Sequence, residues 1–356
     1  MNKEFIEAIT ELEKERHIPK SFLLETIELA LVSAYKKNYG TSQNVRVDIN
    51  ADTGDIAVLM RMEIVDTVID EMTEMSLEEA QAIDPRYEVG DAIEFQVTPK
   101  DFGRIAAQTA KQVVVQKIRE AERGMIFDDF ITRQGELVTG TIHRKSGETV
   151  FVEIGNTEGI LPVSEQVKGE VYQLGEKIKV YIMDVKRASK GPQVYLSRSH
   201  YGLVKKLFEL EVPEIADGTV EIKGIAREAG SRTKMAVASS YDDVDPVGAC
   251  IGARRARIQR VLEQLGNEKI DIIPWSDDPS VLVANVLSPA EVEEVHVNDE
   301  EQIATAVVPD NQLSLAIGKE GQNVRLAARV SGWKIDIKSH SQYYANKEDG
   351  EEFIEL

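Results

Sequence analysis

The sequence predicts a multidomain α+β protein, because three patterns follow one another along its 356 residues. Residues 1–130 combine apolar positions at helical spacing with a few alternating strands. Residues 131–200 consist of short alternating segments separated by glycine turns. Beyond residue 200 one block of sequence occurs twice, 66 residues apart. A chain of this length has room for about two to four domains, each with its own hydrophobic core.

The first segment, 1–130, has the pattern of an α+β domain. Its predicted elements are an N-terminal helix, a helix that begins after Pro19, strands over 45–49, 56–62 and 93–97, and a long helix over 103–125. Ser76 and Glu79 have the spacing of a capping box, which predicts a short helix between the second and third strands. The segment contains no chemical motif, so its residues alone do not indicate a function for this domain.

The second segment, 131–200, has the pattern of a small closed barrel. Strands are predicted over 137–142, 149–154, 159–161, 178–183 and 193–196. Five short strands in this span are typical of the OB fold. Such barrels bind single strands through a basic face with stacking aromatic rings, and the candidates here are His143, Arg144, Lys145 and Phe151. A solvated loop and a core phenylalanine would explain the same residues equally well.

The repeated block predicts two copies of one unit: strand, strand, helix, loop, helix, strand. Ile251-Gly252-Ala253-Arg254-Arg255-Ala256-Arg257-Ile258 is matched by Ile317-Gly318-Lys319-Glu320-Gly321-Gln322-Asn323-Val324. Each copy then ends in the tetrapeptide Lys-Ile-Asp-Ile, at Lys269 and at Lys334. A helix–loop–helix with I-G-x-x-G at the junction is the signature of the KH domain, whose loop clamps the backbone of about four nucleotides. The repeat therefore predicts two tandem type II KH domains.

The chemistry of these loops predicts contact with phosphates. Glycine lets the RNA backbone approach closely and permits positive φ, and the N-terminus of the following helix favours an anion. The candidate RNA-binding residues are Gly252, Ala253, Arg254, Arg255 and Arg257 in the first loop, and Gly318, Lys319, Glu320, Gly321 and Arg325 in the second. Ile251, Ile258, Ile317 and Val324 are predicted to wall the groove for the bases. Arg255 replaces the second glycine of the first loop, which predicts that this module binds with an altered loop geometry.

Composition and charge exclude some functions and leave RNA binding open. The net charge of −20 opposes a nucleic-acid partner, but the first 130 residues carry 15 basic and 26 acidic side chains, whereas residues 131–200 carry 10 and 8. Arg254, Arg255, Arg257 and Arg260 follow one another without an acidic residue between them. Because charges are screened over about 8 Å at physiological salt, this local cluster matters more to a docked phosphate than distant acids do.

Cysteine and apolar content predict a cytoplasmic protein without a membrane partner. Cys250 is the single cysteine, so no internal disulfide can form, and it is predicted to be a buried core residue. The sequence lacks an apolar run long enough to span a bilayer, and its N-terminal residues lack the pattern of a signal peptide. The five histidines are scattered, and no phosphate-binding P-loop is present, so no catalytic residue, metal site or cofactor is predicted.

Three long blocks resemble the NusA family of bacterial transcription factors. They are LSRSHYGLVKKLFELEVPEIADGTVEIKGIAREAGSRTKMAV from Leu196, DPVGACIGARRARIQRVLEQLGNEKIDIIPWSDDPSVLVANVLSPAEV from Asp245, and VPDNQLSLAIGKEGQNVRLAARVSGWKIDI from Val308. The resemblance covers nearly the whole chain. It implies an RNA polymerase-binding domain over 1–130, an OB-fold domain of the ribosomal-protein S-one type over 131–200, KH domains over 201–276 and 277–345, and an acidic tail over 346–356.

The resemblance also implies an activity and partners. Members of the family modulate pausing, intrinsic termination and antitermination by contacting RNA polymerase and nascent single-stranded RNA together. It further implies contacts with other Nus-type factors, and we expect a monomer. Two positions depart from the family pattern: Arg255 stands for a loop glycine, and Pro162 stands where many S-one-type barrels have a histidine.

Two other classes of function compete with this expectation. A ribonuclease would need clustered carboxylates for Mg²⁺ or a histidine acid–base pair. The candidates for such carboxylates, Asp277-Asp278 and Asp242-Asp243-Asp245, are better explained as loop and cap residues. A ribosome-associated protein or RNA chaperone would share the RNA-binding modules and differ only in its partner.

Overall fold

The computed structural model describes residues 3–16, 18–39, 44–189 and 191–348. It divides the chain into two compact units, Met1–Met125 and Ile126–Leu356. Residues 349–356 of the predicted acidic tail, and His17, lie outside the described residues. In the described part of the chain, no helix has both the length and the apolar character that a bilayer crossing requires.

The first unit is a mixed α and β domain, as predicted. Its elements are α1 (Lys3–Arg16), α2 (Lys20–Tyr39), β1 (Val45–Ile49), β2 (Ile56–Val65), β3 (Glu74–Ser76), α3 (Leu77–Ile83), β4 (Ala92–Gln96) and α4 (Phe102–Thr132), whose last turns belong to the second unit. Strand β2 pairs with all three other strands. The predicted capping box is present, because Ser76 and Glu79 each accept a hydrogen bond from the other's backbone N–H. Apolar residues of α1, α2, β1 and α4 form the core.

The second unit begins with the predicted closed barrel. Its strands are β5 (Leu137–Ser146), β6 (Thr149–Ile154), β7 (Thr157–Leu161), β8 (Lys177–Ala188) and β9 (Gly191–Ser197), in the order β5-β6-β7-β9-β8. Alternate residues of β6 are buried, so Val150, Val152 and Ile154 fill the interior while Phe151 and Glu153 lie on the outer face. This alternation confirms the OB-type barrel that the period-two pattern predicted.

Two copies of the predicted repeat follow the barrel. The first contains α5 (Tyr201–Glu211), α6 (Pro213–Ala216), β10 (Val220–Glu228), β11 (Arg232–Ser239), α7 (Pro246–Ile251), α8 (Ala256–Leu265) and β12 (Lys269–Pro274). The second contains α9 (Pro279–Val286), β13 (Glu294–Asn298), β14 (Ile303–Val308), α10 (Leu313–Ile317), α11 (Gln322–Ser331), β15 (Lys334–Ser339) and α12 (His340–Glu348). In each three-stranded sheet the middle strand pairs antiparallel with the first and parallel with the third. Each repeat is therefore a type II KH fold.

Buried polar contacts join the barrel to the first KH domain. The Arg198 side chain, which is 3% exposed, forms an ion pair with Glu170 and donates to the Gln264 carbonyl oxygen over 2.8 Å. Arg227 donates over 2.7 Å to the Arg198 carbonyl oxygen and forms a buried ion pair with Glu268. Since each buried guanidinium is neutralised and bonded on both sides of the junction, the two domains are fixed to each other.

The two KH domains pack against each other as closely. Helix α11 contacts β10 so tightly that a Cβ on Gly224 would lie 2.6 Å from the Val330 carbonyl oxygen. Lys234 is fully buried and donates over 2.6 Å to the Ser288 carbonyl oxygen between the domains. Burial lowers the pKa of Lys234, although Asp271, 3.1 Å away, opposes that shift. The barrel and both KH domains thus form one continuous unit.

Candidate nucleic-acid interface

The second KH loop has a backbone that only glycine accommodates at its first position. Gly318 ends α10 with φ 76° and ψ 170°, and Gly321 enters α11 in the left-handed region with φ 74° and ψ 15°. A Cβ on Gly318 would lie 2.7 Å from the backbone nitrogen of Asn323. Residues with a side chain rarely adopt the Gly318 conformation. The loop therefore presents bare backbone directly before the N-terminus of a ten-residue helix.

One charged side chain of this loop, that of Lys319, is accessible to a ligand. Lys319 is exposed, and its ammonium group forms no ion pair within the described residues. Asn323, at the base of the loop, donates to the carbonyl oxygens of Leu287 and Ala316 over 2.9 Å each and fixes the start of α11. Its Oδ1 is buried and lacks a hydrogen-bond partner in the described structure. The loop is thus held rigidly while its lysine remains available to an anion.

The first KH loop has the same backbone, which makes the prediction of an altered geometry wrong. Gly252 has φ 72° and ψ 168°, within a few degrees of Gly318. Arg255 has φ 64° and ψ 21°, so it occupies the left-handed region as Gly321 does. A side chain fits there because the Arg255 side chain points to solvent. The substitution changes the charge of the loop and not its path.

This finding carries a cost in backbone strain, because two consecutive arginines lie at positive φ. Replacing Arg255 by glycine should raise the free energy of unfolding by about 1 kcal/mol, since glycine adopts φ near 64° without a steric penalty. The reciprocal change, Gly321→Arg, should lower it by a similar amount, because the nearest atom to a new Cβ is 3.9 Å away and no clash arises. Urea denaturation of both variants measures the change in the free energy of unfolding. If both substitutions stabilise the chain, or both destabilise it, backbone strain at these positions is not the cause.

The arginine cluster of the first KH domain divides into free and paired members. Arg254 and Arg255 are exposed and form no ion pair in the part of the chain that the structure describes. Arg257 instead donates to Glu214 over 2.9 Å and to the Ala249 carbonyl oxygen over 2.7 Å. Arg260 pairs with Glu211 over 2.9 Å. The sequence showed four adjacent cations, and the fold leaves two of them free.

Arg325, which lies on α11 just after the second loop, also forms an ion pair within the protein. It forms an ion pair of 2.7 Å with Glu228 at the end of β10, in the first KH domain, and Gln322 donates to the same carboxylate over 2.7 Å. Burial raises the pKa of Glu228, but the bonds from Gln322 and Arg325 outweigh it, and the pKa lies below its usual value. These two residues of α11 therefore connect the KH domains to each other.

The predicted aliphatic walls are only partly open. Ile317 is 37% exposed, and Ile251 and Val324 are half-buried beside the two loops. Ile258 is 5% exposed and packs in the core of the first KH domain, so the prediction that it walls a groove is wrong. Its position on α8 turns the side chain inward, which the sequence match to Val324 did not reveal.

A cavity of about 330 Å³ lies between the two KH domains and was not predicted. It is lined by Ser231, Arg232, Lys269, Ser314, Leu315, Gly318, Lys319, Gln322 and Asn323. Arg232 pairs with Asp271 at 2.7 Å, whereas Lys269 is exposed without an ion pair within the described residues. The repeated tetrapeptide pointed to Lys269 only as the start of a strand. The cavity places a cation of the first KH domain beside the loop of the second.

The barrel brings three of its four predicted residues together with an acidic one. The Arg144 guanidinium lies 3.5 Å above the centre of the Phe151 ring and forms two hydrogen bonds with Glu158. His143 lies 3.1 Å from the same carboxylate, and Lys145 is exposed nearby. The Arg144 bond and the His143 bond hold the pKa of Glu158 below its usual value, although burial opposes them. Phe151 is thus a surface ring and not part of the barrel core.

Three of the side chains considered for chemistry in the sequence, Asp245, Asp278 and Cys250, have structural roles. Among the residues that the structure describes, no three His, Cys, Asp or Glu side chains converge into a metal site. Asp245 and Asp278 cap the N-termini of α7 and α9, as the sequence predicted. Cys250 is buried, which raises the pKa of its thiol to about 12. These residues serve the fold.

Fold and site together define a multidomain protein that combines an α+β N-terminal domain with an OB-type barrel and two KH domains. Four family models match it in this order: NusA N-terminal domain over 4–124, S1 RNA binding domain over 132–197, NusA-like first KH domain over 198–275 and NusA-like second KH domain over 279–345. The chain belongs to the NusA family.

Curated relatives agree with this assignment. The chain is 55% identical over 342 residues to the transcription termination/antitermination protein NusA of Halalkalibacterium halodurans, covering 96% of this chain and 90% of the relative. It is 55% identical over 341 residues to the protein of that name from Bacillus subtilis, covering 96% and 92%. Among solved structures, the N-terminal domain of NusA from B. subtilis is 59% identical, and the match covers 35% of this chain and 99% of that one with a TM-score of 0.32.

Proposed function

We propose that this chain is an RNA-binding transcription factor that contacts RNA polymerase and nascent RNA, and so modulates pausing, termination and antitermination. The relatives that are 55% identical over nearly the whole chain are named transcription termination/antitermination proteins, which supports a role in these steps of transcription. The observation that carries the RNA-binding role is the pair of KH loops. Both open with a glycine at positive φ and lead into a helix N-terminus, and their torsions at the first and last positions agree within about 10°.

In this proposal the two loops clamp the backbone of single-stranded RNA with different charges. Gly318 to Gly321 offers backbone N–H groups and the Lys319 ammonium group, whereas Gly252 to Arg255 offers the same backbone with two guanidinium groups. Arg257 and Arg325 support the loops through Glu214 and Glu228 rather than reaching a phosphate directly. The inter-domain cavity, with Lys269 beside Lys319, supports a strand that passes from one KH domain to the other.

In this proposal the barrel is a further RNA-binding domain, and the N-terminal domain binds protein. The basic and aromatic face around Arg144 and Phe151 would contact RNA as the S1-type match suggests. Residues 1–130 carry 26 acidic and 15 basic side chains, a balance that disfavours RNA as the partner of this domain. The resemblance to the NusA family implies RNA polymerase as its partner instead, and we assign polymerase to this domain, with other Nus-type factors as further partners of a cytoplasmic monomer.

Partner capture tests the proposal against its alternatives. The immobilised full chain should retain purified RNA polymerase, and the second unit, Ile126–Leu356, should lose most of that retention while still binding single-stranded RNA. Recovery of ribosomes and not of polymerase would replace the proposal by a ribosome-associated role. Cleavage of labelled RNA in the presence of Mg²⁺ would revive the ribonuclease hypothesis.

A further inference from the structure

The outer face of the barrel carries one row of paired side chains across three strands. In the strand register Arg144 of β5 lies opposite Phe151 of β6, which lies opposite Ile160 of β7. Directly beside this row, Glu153 of β6 lies opposite Glu158 of β7. Because opposite residues of neighbouring strands project to the same side, these groups form one continuous surface.

A bulge in β5 turns two basic side chains onto this surface. The pairing of β5 with β6 shifts between Ile142 and Arg144, so His143 is the extra residue. A bulge re-aims the side chains next to it. As a result, the Arg144 Nε and Nη2 atoms donate to the two oxygens of Glu158 over 2.9 and 2.6 Å, and His143 Nδ1 lies 3.1 Å from Oε1.

Both positions that a nucleic-acid strand uses are therefore occupied by the protein itself. A base binds such a surface by stacking on an aromatic ring, and its phosphate binds a guanidinium through two parallel hydrogen bonds. Here the guanidinium lies over the Phe151 ring at 3.5 Å, and a carboxylate fills the paired donor positions of Arg144. Glu158 is 31% exposed on its side chain, so a strand in solution can reach the pair.

We propose that Glu158 sets the affinity of the barrel face for single-stranded RNA. Its carboxylate occupies the place of an RNA phosphate on Arg144 and holds Arg144 over Phe151, so a strand binds only by displacing the carboxylate. The residue thereby makes the barrel a weak contact that engages RNA already held by the KH loops. This inference rests on the proposed RNA-binding function of the barrel.

The test compares Glu158→Gln with Glu153→Gln in the full chain. The two substitutions make the same change of charge at directly opposite positions, but Glu153 is exposed and forms no ion pair within the described residues. Binding of a fluorescent oligouridine is measured by anisotropy at several salt concentrations. We expect Glu158→Gln to tighten binding about three- to tenfold and to steepen the salt slope by about 0.7, the value for one more neutralised phosphate on a single strand. Glu153→Gln should change the affinity less than twofold.

A second readout shows where the strand lies. An oligonucleotide with 5-bromouridine should form more photochemical cross-links to Phe151 in Glu158→Gln than in the unmodified chain. Equal affinities and equal Phe151 cross-links for the two variants would overturn the inference. If no cross-link forms at Phe151 in any variant, the barrel does not bind RNA and the inference fails, whereas a loss of affinity in Lys319→Asp would still uphold the KH clamps. Thermal unfolding confirms that both variants are folded.

Discussion

Replacing Glu268 by glutamine should lower the free energy of unfolding of the second unit by about 3–5 kcal/mol, the usual cost of removing one partner of a buried ion pair. The Glu268 carboxylate accepts from Arg227 over 2.8 and 2.9 Å, from the Thr233 hydroxyl over 2.6 Å and from the Gly230 N–H over 2.9 Å. The side chains of Arg227 and Glu268 are 1% and 0% exposed. Glutamine would leave the Arg227 charge buried and unpaired.

A matched variant separates this effect from the loss of any ion pair. Glu211→Gln removes the partner of Arg260, which is 61% exposed, and should cost less than about 1 kcal/mol because water solvates the freed guanidinium. Urea denaturation of the two variants measures the difference. Similar small losses for both would show that the junction between barrel and first KH domain tolerates an unpaired charge, contrary to our account.

The same pair gives the unit a defined dependence on pH. Burial raises the pKa of Glu268, but the Arg227 guanidinium, Thr233 and Gly230 together outweigh it, and the pKa lies below its usual value. A carboxyl group whose pKa is lowered by folding contributes stability above its unfolded pKa and loses it as the pH falls toward the folded value. The urea midpoint of the unmodified chain should therefore fall on acidification below the ordinary carboxyl range. In Glu268→Gln, the urea midpoint should decrease less on acidification, because the contribution of this carboxyl group is absent.

Reversing the charge of the second clamp should weaken binding of single-stranded RNA about 30-fold. Lys319→Asp removes one attraction to a phosphate and adds one repulsion, each about 1 kcal/mol at about 4 Å in water. A total of about 2 kcal/mol corresponds to that factor. The salt slope should become shallower by about 0.7 because one phosphate contact is lost. Fluorescence anisotropy with the full chain over a range of salt measures both quantities.

The control for this change keeps the clamp and alters charge elsewhere. Lys100→Asp makes the same reversal at an exposed position of the first unit and should leave the RNA affinity within twofold. Lys319 forms no ion pair in the described structure, so its replacement should leave the unfolding midpoint unchanged. Equal losses of affinity in the two variants would mean that RNA responds to net charge and not to the loop.

The sequence predicted the architecture well because its signals are local. The repeat around Gly252 and Gly318 fixes a helix–loop–helix, and the strand that begins with Lys-Ile-Asp-Ile completes each sheet in parallel with the middle strand. The period-two pattern of β6 determined which residues fill the barrel. Each of these features depends on residues that are close together in the chain.

The site was less predictable because its charges are paired through space. Arg257, Arg260 and Arg325 are held by carboxylates 43, 49 and 97 residues away. The spacing of residues along the chain does not reveal those partners. The sequence therefore provided no reason to separate Arg257 and Arg260 from Arg254 and Arg255, which form no ion pair within the described residues. The sequence also misled at Arg255. Its side chain suggested a distorted loop, but the backbone adopts the strained φ of 64° and the loop keeps the same path. Glu158, which governs the barrel face in our proposal, had no motif to mark it.

Transcription in vitro shows whether this chain holds nascent RNA and polymerase at the same time, because its effect on pausing and termination depends on both contacts. Pause duration and termination efficiency are measured on one template with the full chain, with Lys319→Asp and with the second unit alone, Ile126–Leu356. We expect the full chain to change both quantities, Lys319→Asp to retain polymerase but lose most of the effect, and the second unit to have little effect at the same concentration. An unchanged effect in Lys319→Asp, or an equal effect of the second unit, would contradict this expectation.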